Sequence, residues 1–233
     1  MLQRQFDKGS RVVRSSTTAQ SNKLGHIVIE AVTPTVDCAH YPVKRVVGES
    51  CVVEADIFGD GPAALAAAVK WRRALDENFA EAPMASIGND RWRGEFPLAE
   101  NGRYIFAIEA WTRAFTSWLE YFTKKTATDL DPASDLAEGI ALLDKIRLRA
   151  SAEDRKLIAE HIALLRALND PRQAVAVVSA PELTAAVDRN EERSDAVNYR
   201  DRIRVSALLQ HGQIDGTLSV NVHHIVLKGV SIF

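Results

Sequence analysis

The hydrophobic period of this chain changes once, near Trp118, and that change limits what it can fold into. From about His26 to Trp118, bulk recurs at every second residue, the spacing that puts side chains on one face of a strand. Arg91-Trp92-Arg93-Gly94-Glu95-Phe96 alternates charge with bulk, so Trp92 and Phe96 share a face. Leu65, Ala67, Val69 and Trp71 share another, with Lys70 and Arg72 turned outward. Cys51, Val53, Ala55 and Ile57 repeat the pattern against Glu54 and Asp56. His26–Val32 and Gly102–Trp111 add two more strands. Beyond Trp118 the spacing becomes helical: Leu136, Ile140, Leu143 and Ile146 fall on one helix face. Strands followed by helices predict an α+β fold.

Turn chemistry separates the early runs at Gly48-Glu49, Gly59-Asp60-Gly61-Pro62, Gly88-Asn89-Asp90 and Asn101-Gly102. Short strands at such intervals predict an immunoglobulin-like antiparallel β-sandwich over residues 25–118. Helix signals follow. Ser151 is placed to cap a helix carrying Leu157, Ile158, Ile162, Leu165 and Leu168. Pro171 sits where a further helix would begin, and Ser179-Ala180-Pro181-Glu182 opens a short one ending near Arg189. A bundle of three to four helices is expected over 119–197. The segment 198–206 is extended, and a strand returning to the sandwich would make the bundle an insert.

Charge and cysteine content exclude several classes. A formal net charge of -2 gives no basic surplus for nucleic acid. Cys38 and Cys51 are too few for a disulfide scaffold and suit reduced thiols in a cytoplasmic protein. No run reaches the roughly 20 apolar residues of a membrane span, so no membrane partner is expected. Residues 1–24 are basic and serine-rich, as in a transit peptide. They hold too few large apolar side chains to offset ordering entropy, and a disordered tail is the preferred reading.

The candidate sites divide against a structural alternative. Exposed tryptophans stack on sugar rings, but Trp71 and Trp92 share faces with other bulky residues and are expected in the core. Trp118, at the junction of the two periods, is the candidate for an interface or sugar contact. His223 and His224 are neighbours on a strand and point apart. His161 lies near an apolar helix stripe, and His26 and His40 lack an acidic partner at a telling spacing. No metal site or cofactor is expected. The acidic pairs Glu191-Glu192, Asp129 with Asp131, and Glu153-Asp154 read as solvated or helix-end charge. Gly59-Asp60-Gly61 lacks the lysine and helix start of a phosphate loop. No Gly-x-Ser-x-Gly or Cys-His arrangement supplies a nucleophile. No catalytic residue is assigned.

Several longer motifs carry a resemblance. Tyr41-Pro-Val-Lys-Arg-Val-Val-Gly-Glu49, Val53-Glu-Ala-Asp-Ile-Phe58, Gly88-Asn-Asp-Arg-Trp-Arg-Gly94 and Gly102-Arg-Tyr-Ile-Phe-Ala-Ile-Glu-Ala-Trp111 resemble the bacterial α-1,4-glucan:maltose-1-phosphate maltosyltransferases. Trp118, Lys124-Lys125, the acidic helix start from Asp135 to Gly139 and Tyr199-Arg-Asp-Arg-Ile-Arg-Val205 extend the match. That family lies in the α-amylase superfamily, glycoside hydrolase family 13. The resemblance implies an Ig-like N-terminal domain with a helical insert, beside a (β/α)8 barrel and at a homodimer interface. It implies an enzyme that moves maltosyl units from maltose 1-phosphate to α-1,4-glucan ends through a glycosyl-enzyme. The catalytic carboxylates would lie in that barrel, and none maps onto this chain. Resemblance stops near Val205, and 207–233 aligns with nothing in the family. A frameshifted or shortened reading frame is the expectation, which a barrel-encoding frame downstream would support. The alternative function is a separate α-glucan-binding or maltooligosaccharide-binding sandwich.

Overall fold

A computed structural model describes residues 27–128, 132–199 and 202–209. The expectations for residues 1–24, His26, Asp129, Asp131, His223, His224 and 210–233 lie outside the described residues. The fold is α+β. Its strands are β1 (Ile27–Thr33), β2 (Val43–Val46), β3 (Ser50–Gly59), β4 (Leu65–Arg73), β5 (Ala80–Gly88), β6 (Arg91–Pro97), β7 (Gly102–Thr112), β8 (Val197–Asn198) and β9 (Ile203–Leu208). The helices α1 (Ala114–Thr126), α2 (Ala133–Arg149), α3 (Ala152–Ala167), α4 (Ala174–Val178) and α5 (Pro181–Asn190) all fall between β7 and β8 in the chain.

The strands form one curled sheet in the order β1-β3-β6-β5-β4-β7-β9-β2, with β8 also on β7. Pairing is antiparallel except between β2 and β9. Strand β5 makes the bend. Its first half pairs with β4, from Trp71↔Ala80 to Ala67↔Met84. Its second half pairs with β6, from Ala85↔Arg93 to Gly88↔Arg91. A strand that changes partner midway carries the sheet around a corner. Gly94 lets the corner close. A Cβ there would lie 2.8 Å from Met84 Cγ and 3.1 Å from the Pro83 carbonyl oxygen.

The strands expected from alternation are present. In β3, Cys51, Val53, Ala55 and Ile57 are buried. Strands β2 and β5 are additions to the sequence reading. Val43-Lys-Arg-Val46 is too short to display a period, and Pro83 interrupts the pattern of β5. Inside the sheet, Trp71 stacks on Phe96 at 5.3 Å, and Phe96 meets Phe106 at 5.7 Å. Trp92 is half-buried and donates Nε1–H to the Ile57 carbonyl at 3.1 Å.

Helix begins at Ala114, ahead of the change of period read near Trp118, because the first turn of α1 carries Phe115 as its inward residue. Among the described residues five helices stand where three to four are expected, since the sequence spacing marks no helix over α1. Ser151 caps α3 as expected, its hydroxyl accepting the Asp154 N–H at 3.2 Å. The helices bury a core of their own around Phe115, Trp118, Phe122, Leu143, Ile158 and Leu183. It is separate from the sheet core around Val53, Phe96, Tyr104 and Phe106.

Candidate functional site

Trp118 lies on the inner face of α1, 6% exposed. Phe122 stacks on its ring at 5.0 Å and Phe115 leans on it at 5.3 Å. Its Nε1–H donates to the Asp135 carbonyl at 2.8 Å. Gly139 on α2 sits under the indole, and a Cβ there would overlap Trp118 Cζ2. Lys125 Nζ closes the corner on Asp135 Oδ2 at 2.5 Å. Trp118, Lys125, Asp135 and Gly139 therefore form one lock between α1 and α2. The ring faces of Trp118 are covered by the chain itself, which leaves no platform for a sugar.

Sheet and helices are joined by two connectors that run side by side. One is the elbow from β7 into α1, at Thr112-Arg113-Ala114. The other is the end of α5 and the link after it, Asp188-Arg-Asn-Glu-Glu-Arg-Ser-Asp195. Acidic residues of the second grip the first. The Thr112 N–H donates to the Asp195 carboxylate at 3.2 Å. Arg113 pairs with Asp188 and lies 3.6 Å from Glu191 Oε2. The Arg113 N–H donates to the Ala64 carbonyl, and the Ser117 hydroxyl receives the Ala64 N–H. Glu192 reaches α2 through Arg149 at 3.1 Å.

Arg193 points the other way, onto the sheet. It spans Glu81 of β5 at 2.7 Å and Glu109 of β7 at 3.1 Å. Its guanidinium lies 3.7 Å from the ring centre of Trp111, a cation–π contact. Lys70 of β4 completes the group at 2.6 Å from Glu109. Arg193 beside Glu81 holds that carboxyl below the usual carboxylate range. This segment thus bonds to β5, β7, the elbow before α1 and α2.

Glu191 is the unusual member. Its side chain is 7% exposed and Oε1 has no hydrogen-bond partner. Burial raises its pKa, and Arg113 opposes that only in part. It sits between two hollows. One, of about 320 Å³, is floored by Phe115, Leu142 and Ile146. The other, of about 350 Å³, lies under Trp111 and Arg193. The expectation of a solvated Glu191-Glu192 pair is corrected for Glu191, which α5 turns inward. The two carboxylates diverge, one to Arg113 and one to Arg149.

The remaining candidates are structural in placement. His161 on α3 contacts the Leu157 carbonyl through Nδ1 at 2.9 Å. His40 does the same with Asp37 at 2.6 Å. Asp154 is a helix-end charge, held by Arg189 and Asn190 from α5 at 2.5 and 2.7 Å. Cys51 is buried and its pKa is pushed up to about 11, so its thiol stays protonated. Arg113, Arg193 and Asp195 are not singled out by the sequence, and Glu191 is singled out there only as part of an acidic pair. Their signal was the density of mixed charge in a short link between helix and strand.

Comparison with known proteins meets this geometry at the same residues. Residues 25–207 match the family model described as alpha-1,4-glucan:maltose-1-phosphate maltosyltransferase, domain N/S. A protein of that name from Myxococcus xanthus is 39% identical over 195 residues, 80% of this chain and 29% of that protein. Its namesake from Burkholderia pseudomallei is 38% identical over 173 residues, 73% of this chain and 15% of the other. One from Methylacidiphilum infernorum is 34% identical over 176 residues, 73% and 25% respectively. The chain thus spans less than a third of the length of these relatives. The matched stretch runs from β1 into β9 and takes in both cores and both connectors. The chain belongs to the α-1,4-glucan:maltose-1-phosphate maltosyltransferase family and corresponds to its N/S region.

Proposed function

We propose that this chain is the non-catalytic N-terminal, dimerising part of a maltosyltransferase of glycoside hydrolase family 13. The whole enzyme would extend α-1,4-glucans from maltose 1-phosphate. The observation that carries this reading is the match to domain N/S over residues 25–207, within relatives more than three times as long as the matched stretch. The structure supports a binding and scaffold role, because its buried carboxylates serve packing and connectors. Purified protein should release no phosphate from maltose 1-phosphate in the presence of maltooligosaccharide. Any release above a heat-treated control would overturn the reading.

The sheet is best read as an Ig-like sandwich over 25–118 with 198–206 as its return strand, and the helices of 119–197 as an insert. The pairing of both β8 and β9 with β7 supports this, because the chain leaves and re-enters the sheet at one strand. In this reading the protein is cytoplasmic and homodimeric. No helix among the described residues is long and apolar enough to cross a membrane. Sedimentation at micromolar concentration should give twice the mass of 25.7 kDa; a monomer there would remove the dimer. An α-glucan is the further proposed partner. Burial of Trp118 makes it a poor reporter, so maltooligosaccharide binding is best sought by calorimetry, and no heat at millimolar sugar would exclude it.

A further inference from the structure

The outer face of the sheet carries a cluster of cations that the fold does not neutralise. On β7 the outward residues are Arg103, Ile105, Ala107 and Glu109, alternating with buried Tyr104, Phe106 and Ile108. Register extends these into rows. Lys44, Ser206 and Arg103 form one row across β2, β9 and β7. Arg204, Ile105 and Arg72 form the next across β9, β7 and β4. Arg202 precedes β9 and shares the Phe79 ring with Arg72, at 5.7 and 5.1 Å. Adjacent strands lie about 4.8 Å apart, so charges two strands away are roughly 10 Å apart, within or near a Debye length.

None of Lys44, Arg72, Arg103, Arg202 and Arg204 meets a carboxylate among the described residues. The acids of the strands on this face, Glu81 and Glu109, are engaged by Lys70 and Arg193, while Asp76 and Glu77 lie in the turn after β4, where Arg72 bonds the Asp76 carbonyl and not a carboxylate. Two of the guanidinium groups are fixed by the chain. Arg72 Nη1 donates to the Arg73 and Ala74 carbonyls at 3.2 and 3.1 Å and to that of Asp76. Arg204 Nη2 donates to the His40 carbonyl at 2.5 Å. These bonds hold positive charge in place without cancelling it. Apolar surface lies among the charges: half-buried Ile105 and Ala107, and Leu208 at 47% exposure.

We propose that this face docks an acidic protein surface, one that sets Asp and Glu side chains around an apolar centre. Fixed arginines beside an aromatic ring and aliphatic side chains have the composition of an interface core. Arginine forks pair with carboxylates in two-bond geometry, and prefixed ones lose less entropy on pairing. Lys44, Arg72, Arg103, Arg202 and Arg204 line neither of the hollows described above, which disfavours a small ligand. A long polyanion would run past the patch onto a chain whose net charge is -2.

The test is fluorescence anisotropy of a labelled 20-residue poly-L-glutamate titrated with the whole protein. Saturable binding is expected at low salt, weakening as salt rises. Arg103→Glu/Arg204→Glu should weaken it at least tenfold, and Arg103→Gln/Arg204→Gln by a smaller factor. Lys124→Glu/Lys156→Glu, exposed on the helices, should change it less than twofold. If the charge-reversed variant loses its far-ultraviolet circular dichroism, the glutamine variant decides. Absence of binding, or equal loss in the helix variant, overturns the proposal. Tighter binding of a 20-base-pair duplex DNA overturns it in favour of nucleic acid. Self-association abolished by the same two variants overturns it in favour of a second copy.

Discussion

The two cores bury their aromatic residues in opposite ways. In the sheet, Trp71, Phe96, Tyr104 and Phe106 come from three strands and meet at 5.3 to 6.4 Å. Each ring has several neighbours from distant parts of the chain. In the helices, Phe115, Trp118 and Phe122 sit on successive turns of α1, and Trp118 presses on a single glycine of α2. A distributed cluster can share the loss of one member. A lock between one ring and one glycine cannot, because close-packed interiors relax little around a deleted or added group.

The sharpest way to break that contrast is Trp118→Ala. It removes the largest ring of the lock and its hydrogen bond to the Asp135 carbonyl, and should cost about 3–5 kcal/mol. Urea unfolding followed by helical circular dichroism should show the loss, while the fluorescence of the remaining Trp71, Trp92 and Trp111, all on strands, reports whether the sheet unfolds with it. Coincident transitions would show that the two cores unfold as one unit. Gly139→Ala comes next. The added methyl overlaps the indole, so α1 must back away, at about 1–3 kcal/mol. A neutral result would mean that the α1–α2 packing is looser than described. Removing the cap of α3 with Ser151→Ala should cost about 1 kcal/mol. The thermal midpoint should fall by a few degrees, and no change would mean that solvent replaces the cap.

The same contrast explains what was legible in the sequence. Period two and period 3.6 marked the sheet and most of the helices, because burial on one face dictates spacing. Ser151 was legible as a cap because its role is local. Trp118 was not, for the opposite reason. A tryptophan at a change of period looks exposed until Gly139, on another helix, is known to lie under it. Strand β5 was hidden by Pro83 and by its change of partner, which no period records. In the link from Glu191 to Asp195 the sequence offers only the pair Glu191-Glu192, as solvated or helix-end charge. Its residues act across the chain, Arg193 on Glu81 and Asp195 on Thr112, at separations no local rule reaches.

Glu191 gives the smallest effect and tests the junction rather than either core. Its carboxyl is buried with one oxygen unpartnered, and its pKa is raised above the ordinary value of 4.5. An acid whose folded pKa is raised binds its proton more tightly when folded. It therefore contributes stability that is full below about pH 4.5 and is lost as pH rises through the folded value. Glu191→Gln keeps the shape and stays neutral, so it avoids that loss. The variant should match the native protein at pH 4 and be slightly more stable at pH 7, with the gap opening between them. The facing charges are Arg113 on the elbow, Asp188 and Arg189 on α5, Lys145 and Arg149 on α2, and Glu192, Arg193 and Asp195 on the connector, with Glu81 on β5. Arg113 and the α1 N-terminus favour the anion, so the sign of the difference reports which wins. If Glu191→Gln is less stable at pH 7, Arg113 and the helix dipole outweigh burial, and the junction is held by an ion pair rather than strained by a buried charge.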